Sequence, residues 1–123
     1  MAVRILLVED DSHLVESLTF VLEREGFEVR AASDGEAAMR HLRFDPPDTM
    51  ILDVMLPLLN GFEVLKFVKS DPVLKAMPVI VLTAKGQAHD RQMAETIGVE
   101  AFMTKPFSNR DIVDAVRHLT TRA

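Results

Sequence analysis

The sequence predicts a doubly wound α/β domain in which five parallel strands alternate with five helices that cover both faces of the sheet. Three observations predict it. Short, near-continuous apolar runs such as Ile5-Leu6-Leu7-Val8 and Val79-Ile80-Val81-Leu82 read as strands buried on both sides. Between the runs lie stretches with apolar residues at helical spacing, each bounded by capping or turn residues. A chain of 123 residues, 48% hydrophobic and 27% charged, has the size and composition of one globular domain.

The elements follow in order. Val3 to Val8 is the first strand and ends abruptly in Glu9-Asp10-Asp11. The helix after it turns Leu14, Val15, Leu18, Val21 and Leu22 to one face, is N-capped by Asp11 or Ser12, and stops at Gly26. Phe27 to Ala31 is the second strand. Asp34-Gly35 turns into a helix over Glu36 to Arg43, with Ala37, Ala38 and Leu42 inward, and Pro46-Pro47 breaks it. Asp48 to Asp53 is the third strand, followed by a loop at Pro57 to Gly61 and a short helix carrying Val64, Leu65 and Val68. After an Asp71-Pro72 turn, Pro78 to Thr83 is the fourth strand. Ala88 to Ile97 is a helix closed by Gly98, Ala101 to Thr104 the fifth strand, and a last helix starts near Ser108 or Asn109 and buries Ile112, Val113, Val116 and Leu119.

Composition excludes several classes. With no cysteine there is no disulfide framework and no thiolate metal site. A net charge of −5 disfavours a nucleic-acid surface on these residues. Met-Ala-Val-Arg runs into the first strand without a signal-peptide core, and no apolar stretch reaches the roughly 18 residues that span a bilayer. The expectation is a cytoplasmic domain with no membrane contact. His13, His41, His89 and His118 are scattered without metal-ligand spacing, and the seven methionines form no stripe.

Doubly wound sheets bind ligands beyond the carboxyl ends of their strands, so the residues there matter most. Strand one ends at Glu9 and Asp10, strand three at Asp53, strand four at Thr83 and strand five at Lys105. Two carboxylates about 4 Å apart repel by about 4 kcal/mol at an effective dielectric near 20, so three acids at one edge call for a cation. All-oxygen ligation suits a hard ion such as Mg²⁺. Lys105 supplies a point charge and Thr83 a hydroxyl donor. Together these are the parts of a phosphoryl-transfer site, in which an aspartate can itself attack phosphorus.

Those residues carry a resemblance. Val8-Glu9-Asp10-Asp11, Leu52-Asp53 with Pro57 and Gly61, Leu82-Thr83-Ala84 and Lys105-Pro106-Phe107 stand in the order found in receiver domains of two-component response regulators. The chain resembles that family over essentially its whole length, and most of all the receivers of winged-helix transcriptional regulators. The resemblance implies the flavodoxin-like strand order 2-1-3-4-5. It implies that Asp53 accepts a phosphoryl group from a sensor histidine kinase, a phosphotransfer protein or a small phosphodonor. Asp10 and Asp53 would ligate Mg²⁺ (or Mn²⁺) directly, Glu9 largely through water, and the Met55 backbone carbonyl would complete the protein ligands. Thr83 and Lys105 would bind phosphoryl oxygens, and a cis peptide bond would precede Pro106.

It also implies a switch. The Thr83 hydroxyl would move toward the phosphoryl group and Phe102 would fill the space it leaves, with no hydroxyl of its own to bond; the competing reading of Phe102 is a permanently buried core residue. The face made by the fourth helix, fifth strand and fifth helix would then differ between states and act on an output domain or partner. Family members of the winged-helix type dimerise through that face, where Arg91, Glu100, Asp111 and Arg117 would supply ion pairs. Met55 and Lys85 flank the path of an attacking water, and apolar Met55 offers nothing to orient it. A stand-alone phosphorelay shuttle is the alternative reading. A true aspartyl-phosphate hydrolase would need a second acid where Met55 stands, and a flavin-phosphate module would be repelled by Glu9-Asp10-Asp11.

Overall fold

The computed structural model describes residues 2–55, 60–84 and 88–120. Its elements run β1 (Arg4–Val8), α1 (Ser12–Arg24), β2 (Glu28–Ala32), α2 (Gly35–Phe44), β3 (Thr49–Asp53), α3 (Gly61–Ser70), β4 (Val79–Ala84), α4 (Ala88–Ile97), β5 (Ala101–Lys105) and α5 (Asn109–Thr120). The strands form one parallel sheet in the order β2-β1-β3-β4-β5. This is the flavodoxin-like arrangement that the resemblance implies.

Capping chemistry sets the helix starts. The Asp11 carboxylate accepts from the backbone N–H groups of His13 (3.0 Å) and Leu14 (3.3 Å), so Asp11 rather than Ser12 caps α1. Asp34 accepts from Ala37 N–H at 2.8 Å, which makes Gly35 the first residue of α2. Asn60 accepts from Phe62 N–H at 2.7 Å, so Asn60 and Gly61, expected at the end of the loop, are the cap and first residue of α3 instead. The Ser108 hydroxyl accepts from Asp111 N–H at the start of α5. Gly26 and Gly98, at φ +92° and +101°, follow α1 and α4 in the left-handed region where a side chain would be strained.

Alternation along the strands builds two cores. Ile5, Leu7, Ile51, Ile80 and Leu82 pack under α1 and α5. Leu6, Val8, Met50, Leu52, Val79 and Val81 face the opposite way, under α2, α3 and α4. The expectation of uniformly apolar strands fails for β2, where Glu28, Arg30 and Ala31 are exposed because the strand lies at the sheet's edge. The strand also runs one residue later than expected, over Glu28–Ala32 rather than Phe27 to Ala31, with Glu28 opposite Arg4. Among the described residues, no helix is long and apolar enough to cross a membrane.

Candidate functional site

The carboxyl edge of the sheet gathers the acids. Glu9 extends the β1–β2 ladder by one bond, its N–H donating to the Ala32 carbonyl at 3.0 Å, and its side chain is almost wholly buried. Val8 pairs with Leu52, and carrying that register one residue further sets Glu9 beside Asp53, which is also buried. Asp10 is exposed at the rim. One carboxylate oxygen from each of Glu9, Asp10 and Asp53 lies within 4.8 Å of the other two.

Lys105 answers two of these acids. It stands at the end of β5, opposite Ala84, on the same side of the pleat as Ala101 and Met103. From there its Nζ reaches back to Asp53 Oδ2 at 2.9 Å and Glu9 Oε1 at 2.8 Å. Asp53 Oδ1 accepts from the Met55 N–H at 2.9 Å, and Glu9 Oε2 from the Asp11 N–H at 3.1 Å. The bond between Lys105 and Pro106 is cis.

Charge balance here is incomplete. Among the described residues, three carboxylates face one ammonium. Burial pushes the Glu9 carboxyl up to about 7, against the pull of Lys105; the neighbouring Asp53 adds to the rise. Burial alone would lower Lys105, but its bonds to Glu9 and Asp53 and their charges outweigh that, and its pKa is raised. Glu9 Oε1 has Lys105 close by, yet that contact is an ion pair without hydrogen-bond alignment, and the oxygen has no aligned donor. A buried carboxylate oxygen in that condition, within a set of three acids, fits a hard divalent cation with oxygen ligands.

Thr83 and Phe102 occupy the other side of the sheet. Thr83 is buried, and alternation from Val79 and Val81 turns it toward α2, α3 and α4. Phe102 pairs with Val81 and packs against that same core, but only half-buried. It is therefore no permanently enclosed core residue. The Arg91 guanidinium carbon lies 5.0 Å from its ring centroid.

Two contacts escaped sequence reasoning because no local pattern reports them. A Cβ on Gly61 would stand 2.5 Å from Val54 Cα and 2.7 Å from the Asp53 carbonyl oxygen, so the start of α3 rests directly on the strand end that carries Asp53. Arg91 over Phe102 joins residues of different elements. Three of the four residues expected to pair across a dimer also have partners within the chain. Glu100 accepts from Lys69 Nζ at 3.1 Å and from Val79 N–H at 2.8 Å, Arg91 Nε lies 3.5 Å from Glu95, and Arg117 pairs with Glu25. Pro57 and Lys85 lie outside the described residues.

Known proteins share this arrangement. The family model for the response regulator receiver domain matches residues 5–117. The chain is 38% identical over 120 residues to the alkaline phosphatase synthesis transcriptional regulatory protein PhoP of Bacillus subtilis, covering 98% of this chain and 49% of that protein. It is 37% identical over 122 residues to the phosphate regulon transcriptional regulatory protein PhoB of Escherichia coli, covering 99% and 53%. The chain thus spans about half the length of the curated relatives it matches. The crystal structure of the signal receiver domain of a signal transduction histidine kinase from Syntrophus aciditrophicus superposes with a TM-score of 0.91 at 32% identity, covering 98% of this chain and 91% of that one. A five-stranded sheet in this order, three acids and a lysine at its carboxyl edge, and a family match over nearly the whole length agree: the chain belongs to the response regulator receiver domain family.

Proposed function

We propose that the chain is a phosphorylation-controlled signalling switch in which Asp53 is the phosphoacceptor. The observation that carries this reading is the Lys105 ammonium on Asp53 Oδ2, beside three clustered carboxylates with one buried oxygen that has no aligned hydrogen-bond donor. In the reaction, an Asp53 oxygen forms a bond to phosphorus while the donor's P–N or P–O bond breaks. The electron pair leaves with the histidine nitrogen or the small donor's oxygen, and an acyl phosphate remains on Asp53. Asp10, Asp53 and the Met55 backbone carbonyl would hold Mg²⁺ (Mn²⁺ could replace it), with Glu9 acting largely through water. When bound, the ion supplies charge neutralisation to the phosphoryl oxygens. Lys105 orients the acceptor before transfer and binds a phosphoryl oxygen after it, and the Thr83 hydroxyl donates to another.

The transferred charge is then read on the opposite face of the sheet. Drawing Thr83 toward the phosphoryl group vacates space on the side that Phe102 shares, and the α4–β5–α5 face shifts as Phe102 moves in. A histidine kinase or phosphotransfer protein is the proposed donor. The relatives named as transcriptional regulatory proteins support an output in transcription, exerted through a further domain or partner. Assembly of two copies through the α4–β5–α5 face would exchange the present partners of Arg91, Glu100 and Arg117 for those of a second chain.

The test is incubation with acetyl phosphate and Mg²⁺ followed by intact-mass measurement. One added phosphate is expected, dependent on the metal, lost on mild base treatment and absent in Asp53→Ala. Undiminished labelling of Asp53→Ala sinks the assignment.

A further inference from the structure

Phe102 raises a question of balance. It is an aromatic ring with no hydroxyl, partly buried and packed against the edge of a core that would accept more of it. Water gives such a ring no reason to stay out. The edge position of β5 leaves one side of the ring open, and a contact made on that side biases where it rests.

The contact present is Arg91. Its guanidinium carbon sits 5.0 Å from the Phe102 centroid, within cation–π range, and its Nε is steadied by Glu95 one turn further along α4, at 3.5 Å. The Arg91 side chain remains more than half exposed, so stacking on the ring leaves most of its hydration in place. Phe102 and Thr83 lie on one side of the sheet, two residues apart along the ladder between β4 and β5. In the proposed switch, the inward move of Phe102 toward the space near Thr83 gives up this contact.

We propose that Arg91 is a latch that holds Phe102 in its outward position and so restrains the phosphorylated state. This rests on the reading of Asp53 as phosphoacceptor and adds a regulatory residue to it. An interaction made in the resting state and lost in the active one sets the balance between them by its full worth. Glu95 is a positioning residue for the latch.

Beryllofluoride, a stable mimic of the phosphoryl group, provides the test. Its affinity in the presence of Mg²⁺ is measured by titration for the wild type, Arg91→Ala and Arg91→Lys. Release of the latch raises the affinity of Arg91→Ala about two- to fivefold, the span of an exposed cation–π contact, while Arg91→Lys, which keeps a cation over the ring, stays near the wild type. Simple electrostatics predicts the opposite sign, because removing a positive charge from the domain weakens binding of an anion. Unchanged or weaker binding by Arg91→Ala beside normal binding by the wild type overturns the latch alone. Failure of the wild type itself to bind overturns the phosphoacceptor reading as well. In the aromatic NMR spectrum of the unliganded protein, the Phe102 ring resonances should shift in Arg91→Ala toward their beryllofluoride-bound positions.

Discussion

Lys105 Nζ meets Asp53 Oδ2 at 2.9 Å by reaching past the end of β4, the strand that separates their own. An ammonium placed there is a built-in counterion, and it competes with any metal for the same charge. Lys105→Ala should lose about 1–3 kcal/mol of stability in chelator, as two buried carboxylates lose their cation. The same variant should gain more from millimolar Mg²⁺ than the wild type does. Melting midpoints of both proteins with and without Mg²⁺ decide it. An equal metal-induced rise would show that Lys105 and the ion do not share a site.

Glu9 gives the domain a pH dependence of defined sign. Its carboxyl is held near 7 in the folded chain against an ordinary value of 4.5, so the folded state keeps a proton that the unfolded state releases. The stability contributed by that proton is fully present below about pH 4.5 and is lost as pH rises through about 7. Without metal, the slope between those limits approaches about 1.4 kcal/mol per pH unit for one proton. Urea midpoints across that range in chelator should fall with pH in the wild type, and Glu9→Gln should remove this component.

Gly61 has no room for a side chain. A Cβ there would fall 2.5 Å from Val54 Cα, and the neighbour is backbone that cannot rotate away. Gly61→Ala should therefore push α3 off the end of β3, at a cost of about 1–3 kcal/mol. Because the displaced backbone belongs to Asp53 and Val54, the Mg²⁺-induced rise in melting midpoint should shrink too. A loss of stability with the full metal response would confine the role of Gly61 to packing.

Met55 stands two residues after Asp53, the proposed acceptor, with its side chain exposed. A thioether orients no water, so the acyl phosphate should be long-lived. Met55→Asn places an amide there and should speed dephosphorylation about tenfold, short of the roughly hundredfold or more that a full general base supplies. Following decay of the phosphorylated mass over time measures it. An unchanged rate would mean that water is oriented by other groups.

The strands and helices were legible because local rules dominate them: apolar runs for β1, β3 and β4, and Asp11, Asp34, Asn60 and Ser108 as caps. The acids were legible for a different reason. Glu9 and Asp53 interrupt apolar runs at points where a parallel sheet must end, so topology alone brings them to one edge. What the sequence hid depends on distances between elements. Nothing near Glu100 announces that Lys69 and Val79 will claim its carboxylate before a second chain can. Nothing near Gly61 marks the backbone of Val54 as its neighbour. The half-burial of Phe102 likewise depends on where β5 falls in the sheet, at the edge rather than inside it.

The pleat divides the labour. Glu9, Asp53 and Lys105 continue the alternation of the α1–α5 side, whereas Thr83 and Phe102 continue that of the side beneath α2, α3 and α4. The sheet is thus a partition, with charge handled in one room and shape in the other, and Thr83 at the doorway. Substitutions in the first room should alter how fast the domain is charged, and those in the second how far the message carries. On the proposed switch reading the two rooms stay coupled through Thr83, so a substitution such as Arg91→Ala in the second also alters affinity in the first.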